Sequence, residues 1–150
     1  MTSNFWRYFC APLAWAVVLF IQSSIPDPDP PLRFSRWDDK WAHVLIYAPL
    51  GFLVMQALAQ RRAGTITPAL FWLAVLAGSA YGASDEIHQF FVPGRSPDWR
   101  DWVADTAGVI LGAYFCLRKT KKRERAGAED NAESYEPPPA SMPEAPAERG

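Results

Sequence analysis

The sequence predicts an all-α protein: a membrane-embedded four-helix bundle of four transmembrane spans, followed by a disordered C-terminal tail. Three observations carry this. Apolar residues gather in four blocks, each close to the roughly 20 residues an α-helix needs to cross a hydrocarbon core of about 30 Å. Residues 1–117 hold nine acids and eight bases, almost all outside those blocks. Residues 118–125 then hold six bases and one acid, and residues 126–150 six acids and one base. The whole-chain averages, 49% hydrophobic and 21% charged, resemble those of a soluble domain only because they mix these regions. A chain of 150 residues with four such blocks has no soluble shell left to bury them. Backbone polar groups in lipid must pair internally, which leaves helices as the spanning form.

The first span is read over about 5–23, with Arg7 its only charge. A cleaved signal peptide over 1–25 is the competing reading, but the apolar run is long and Ile21–Ser24 makes a poor small-x-small cleavage site. The second span covers about 41–59, and Pro49 near its middle should bend it. The third covers about 66–84, with Pro68 in the first turn, where proline costs little. The fourth, about 101–117, is broken by Asp105. Gly78–Gly82 and Gly108–Gly112 are GxxxG pairs, read as close-packing surfaces between helices. They leave self-association into an oligomer open. Residues 1–125 form the transmembrane domain. Residues 126–150, rich in Pro, Glu, Ala and Ser, form the tail.

Lys and Arg near the span ends set the orientation. Arg7, Arg61, Arg62 and the Arg118–Arg125 cluster outweigh Arg33, Arg36, Lys40, Arg95 and Arg100, which puts both termini in the cytoplasm. The loops 22–40 and 84–101 then face outward. The basic cluster reads as an anchor attracted to anionic lipid. A broad basic face is missing, so nucleic acid is excluded as a partner. Two cysteines, Cys10 and Cys116, cannot build a disulfide scaffold and read as small packing residues.

All nine acids of residues 1–117 lie in the outer loops or the adjoining helix turns: Asp27, Asp29, Asp38, Asp39, Asp85, Glu86, Asp98, Asp101 and Asp105. Asp27 and Asp29 read as solvated turn residues. In DDKWAHVLIY, Asp39 or Lys40 shares a helix face with His43 and Tyr47. In ASDEIHQFFVPGR, Asp85, His88 and Gln89 share a face, and Pro93–Gly94 marks a turn. In SPDWRDWVADTAG, Asp98, Asp101 and Asp105 share a face at a helix N-terminus, with Pro97 at the helix start. Asp39, Lys40, His43, Tyr47, Asp85, Glu86, His88, Gln89, Arg95, Asp98, Asp101 and Asp105 therefore form a candidate polar pocket on one membrane face.

Several readings of this pocket stand side by side. It can bind an anionic headgroup or glycan, with Lys40, Arg95 and Arg100 on phosphate. His43, paired with Asp39 or Asp85, would then serve hydrogen bonding or proton transfer, and Glu86 and Gln89 would complete the wall. It can be a divalent-metal site or hydrolase or transferase centre using His43, His88 and carboxylates, although no HExxH or CxxC supports one. It can be a clasp of salt bridges locking the helix ends. A proton path is disfavoured, because the inner halves of the spans are almost purely apolar. No cofactor and no metal is expected, and no P-loop, nucleophile elbow or nucleotide fingerprint is present.

These stretches resemble the VanZ-like family of bacterial membrane proteins. The family pattern DK-x-x-H-x-x-x-Y reads here Asp39, Lys40, His43 and Tyr47. DE-x-x-Q-x-F-x-PGR reads Asp85, Glu86, Gln89, Phe91, Pro93, Gly94 and Arg95. The fourth-span pattern reads Asp98, Asp101, Asp105, Gly108 and Gly112, with Asp105 where Asn is more usual. The likeness runs from about residue 20 to 117. It implies a multi-pass protein of the bacterial plasma membrane, with membrane lipid, a lipid-linked sugar or a phosphate headgroup as partner. The family's namesake is linked with teicoplanin resistance; the resemblance does not supply a mechanism.

Overall fold

In the computed structural model, residues 3–26, 38–62 and 66–134 are described. They form four helices: α1 (Ser3–Ser23), α2 (Asp38–Arg61), α3 (Pro68–Gln89) and α4 (Trp99–Glu133). No strand occurs among the described residues. Asp27, Asp29, Arg33, Arg36 and tail residues 135–150 lie outside them. The expected all-helical, four-helix architecture is present.

Local chemistry fixes the helix ends. Thr67 caps α3, its Oγ1 accepting from the Leu70 N–H at 3.2 Å, and Pro68 occupies the first turn. Asp98 caps α4, accepting from the Arg100 N–H at 2.9 Å, directly after Pro97. Between them the Pro93–Gly94 turn uses a positive φ of 81° at Gly94, a conformation only glycine adopts without strain. α2 continues as one helix through Pro49. α4 passes the expected end near 117 and runs to Glu133, so residues 126–133, read from composition as tail, are helical. Ala, Glu, Lys and Arg are strong helix formers, and an existing helix extends without a new nucleation cost.

The helices alternate in direction. Lys40 meets Asp101, His43 meets Asp105 and Ala48 meets Gly112, so α2 and α4 run parallel. Glu86 meets Asp98 and Gly78 meets Val109, so α3 is antiparallel to α4. The most extensive helix pair is α2 with α4. Their backbones touch: a Cβ on Gly108 would run into the Val44 carbonyl, and one on Gly112 into the Ala48 carbonyl. Gly51, which periodicity did not single out, stands equally close to the Val109 backbone from the other side. Gly78 and Gly82 instead receive the Val109 and Asp105 side chains. The Trp15 indole donates to the Ile46 carbonyl at 2.9 Å, and the Tyr81 hydroxyl donates to the Ala16 carbonyl at 2.5 Å, tying α1 to α2 and α3.

Two apolar clusters fill the interior. Met55, Ala74, Ala113 and Cys116 anchor one, and Leu19, Tyr47, Leu50 and Val109 the other. Cys116 packs there as expected, whereas Cys10 is exposed and does not; both cysteines are free. Large apolar side chains also cover the outside: Leu45, Trp72 and Leu76 are 66%, 62% and 67% exposed. Among the described residues one helical stretch, Asp39–Arg61, is long and apolar enough to cross a membrane. The four spans expected from the sequence thus reduce on this criterion to one. α3 is diluted by Gly78, Ser79, Tyr81, Gly82 and Ser84, and α4 by Asp101, Asp105 and Thr106, several of which face neighbouring helices.

The glycine contacts give a direct test. Gly112→Ala should cost about 2 kcal/mol or more, because backbone meets backbone there. Gly127→Ala, which meets nothing within 4 Å, should be neutral or slightly stabilising. Thermal unfolding of the two variants in detergent compares them.

Candidate functional site

The first turns of α2 and α4 and the last turn of α3 meet at one end of the bundle. Lys40 sits at the centre. Its Nζ donates to Asp101 and, at 3.2 Å, to Asp98, with Asp39 at 3.6 Å. One turn deeper, His43 Nδ1 lies 2.8 Å from Asp105 Oδ1, and Asp105 is fully buried. His43 Nε2 is 3.9 Å from Asp101, beyond hydrogen-bond reach. Deeper still, the buried Tyr47 hydroxyl donates to Asp85 Oδ2 at 3.2 Å, and the Gln89 amide donates to the same oxygen at 3.3 Å. Gly82 makes room between the layers: a Cβ there would stand 3.3 Å from Asp105 Oδ2 and 3.5 Å from the Tyr47 ring. Glu86 closes the third side, its Oε2 accepting from the Asp98 N–H at 2.9 Å.

The nook is acidic. Among the described residues Lys40 is the only lysine or arginine that pairs with these carboxylates. Among the described residues no hydrogen-bond donor reaches the buried carboxylate oxygens Asp85 Oδ1, Glu86 Oε1 and Asp105 Oδ2. At the surface, the Arg100 N–H and then Lys40 hold the Asp98 carboxyl below its ordinary range. Glu86 lies beyond the 66–84 stretch, and burial pushes its carboxyl up to about 7; the nearby Asp101 and Asp105 carboxylates act in the same direction. The Asp98 N–H, the second-largest influence, opposes that rise.

Most of the expected pocket residues gather at this end in three adjoining groups: Asp39, Lys40, Asp98, Asp101 and Glu86; His43 with Asp105; and Tyr47 and Gln89 with Asp85. Three expectations change. His88 does not join them; its Nε2 is 2.9 Å from Ser24 Oγ and its ring lies on Phe20, so it clasps α3 to α1. Positions 85 and 88 stand about 60° apart around α3 and do share a broad face, but its two edges meet different neighbours: Asp85 reaches Tyr47 of α2 and His88 reaches Ser24 and Phe20 at the end of α1. His43 pairs with Asp105, not with Asp39 or Asp85. Among the described residues Arg95 makes no ion pair and its buried Nε has no partner, while Arg100 lies over the Trp99 ring at 5.6 Å. Ser24 and Gly82 contribute to this end of the bundle without having been singled out as site residues. Gly82 was visible as part of a glycine pair, but Ser24 gave no signal of its own.

A model of the VanZ/LLP1 family matches residues 4–120. The chain belongs to the VanZ/LLP1 family. That match takes in the motif segments of α2, α3 and α4, and so every residue of the nook. No curated protein and no solved structure matches the chain.

Glu86 makes stability pH-dependent in a defined direction. Its carboxyl titrates near 4.5 when unfolded and near 7 when folded, so the folded protein holds the extra proton between these values. Its contribution is therefore most favourable at low pH, falls as pH rises through that window and levels off above it. Glu86→Gln, which keeps an oxygen for the Asp98 N–H, should remove this descent. It should also raise the melting temperature near pH 8, by about 2–4 °C per kcal/mol recovered. Thermal unfolding near pH 5 and near pH 8 measures it.

Proposed function

We propose that this VanZ/LLP1 protein is a multi-pass protein of the bacterial plasma membrane, with both termini cytoplasmic, whose outward-facing nook binds the headgroup of a cell-envelope lipid or a lipid-linked sugar. The observation that carries the reading is His43: a fully buried carboxylate, Asp105, holds its Nδ1 at 2.8 Å while its Nε2 has no hydrogen-bond partner among the described residues. A histidine fixed on one side and open on the other is arranged to meet a ligand by hydrogen bonding or proton transfer.

Several features support the membrane part. The Asp39–Arg61 helix has the length and composition of a span. Large apolar side chains face outward on the other helices, which water disfavours and lipid accepts. The start of α1 and the end of α4 lie at the end of the bundle opposite the nook, beside the Arg118–Arg125 cluster, in keeping with the positive-inside rule. Lys40 is already engaged by Asp98 and Asp101, which favours hydroxyl or amine donors of a headgroup over its phosphate. Among the described residues Arg95, which makes no ion pair, is the cation available for phosphate, since Arg100 lies over the Trp99 ring. A role in glycopeptide resistance would follow from action on such envelope ligands.

Lipid co-purification tests the site. Wild type should retain a defined lipid that His43→Ala loses and Arg95→Ala reduces, with folding checked by helicity and elution. Equal retention by all three removes the headgroup reading. A reporter fused after residue 134 should register in the cytoplasm; a periplasmic signal would overturn the orientation.

A further inference from the structure

We infer that Asp39, His43 and Asp101 form a binding site for a single divalent transition-metal ion, with Lys40 as its built-in competitor. This goes beyond the headgroup reading and stands without it. The donor atoms of the three side chains lie within 4.8 Å of one another. His43 Nε2 and Asp101 Oδ1, at 3.9 Å, are near the roughly 3.4 Å that a tetrahedral ion with bonds of about 2.1 Å imposes. Asp39 is the exposed member, with 54% of its side chain accessible, so it can turn to close the remaining gap. One imidazole nitrogen and two carboxylates, with a position open to water, suit zinc and its neighbours better than calcium or magnesium.

The second observation lies outside the trio. Metal-bound histidines nearly always give their other ring N–H to a carboxylate or carbonyl, which fixes the tautomer and strengthens the ligand. Asp105 takes that place. It is fully buried on α4, bonded to Nδ1 at 2.8 Å, and among the described residues its other oxygen has no donor to share its charge. Nε2 is therefore the nitrogen with the free lone pair, and it faces Asp101.

Lys40 shows that the place attracts a cation. Its ammonium stands between Asp39, Asp98 and Asp101, and one positive charge leaves these three carboxylates undercompensated. Its side chain is 21% exposed and unbranched, so the ammonium can swing outward when a divalent ion arrives. His88, against Ser24 and Phe20, is too committed to α1 to take part.

Titration of the purified full chain in detergent with Co2+, followed by visible absorption, and with Zn2+, followed by calorimetry, tests the site. Wild type should bind a single equivalent of either ion. His43→Gln should abolish saturable binding. Asp105→Asn, a positioning change, should weaken it by about 10–100-fold. His88→Gln should leave it unchanged. Lys40→Met should tighten it, a gain that misfolding cannot produce. The proposal is overturned if neither wild type nor Lys40→Met binds stoichiometrically, or if His43→Gln and His88→Gln behave alike.

Discussion

The backbone contact between α2 and α4 is the constraint on which the polar site depends. Gly108 lies against the Val44 carbonyl and Gly112 against the Ala48 carbonyl, so the two parallel helices have one available register. That register sets His43 beside Asp105 and Lys40 beside Asp101, one and two turns further along the same seam. A side chain at either glycine would push the helices apart. The 2.8 Å bond between His43 and Asp105 would then be lost with the packing.

The site so formed carries more acid than its cations neutralise. Lys40 balances part of the outer layer, and His43, Tyr47 and Gln89 supply hydrogen bonds below it. Among the described residues no donor reaches the remaining interior carboxylate oxygens on Asp85, Glu86 and Asp105. Leaving a buried polar group unpaired costs about 1–3 kcal/mol, and more for a charged one.

Much of the helical frame was legible in the sequence because its causes are local. Pro68 and Pro97 mark the starts of α3 and α4 within one turn, where Thr67 and Asp98 turn out to be the caps, and Pro93–Gly94 carries its turn in two residues. Composition alone ends α4 near residue 117, whereas an established helix propagates cheaply through Ala, Glu, Lys and Arg as far as Glu133. Four apolar blocks suggest four spans, yet among the described residues one stretch, Asp39–Arg61, qualifies by length and composition. The polar residues of α3 and α4 that count against a span are partly the ones turned toward neighbouring helices.

By itself the sequence determined four helical stretches, the prolines at the starts of α3 and α4, the glycine pairs and the motif residues that crowd one end of the bundle. It placed Lys40, His43 and Tyr47 on one face, because a 3.6-residue period settles faces within a single helix. Only the tertiary structure decided the partners. It gave His43 to Asp105, spent Lys40 on Asp98 and Asp101, and turned His88 toward Ser24. Spacing along one helix carries no information about the register of another. That register is fixed where backbones touch, at Gly51, Gly108 and Gly112, by contacts between residues about 60 positions apart in the chain.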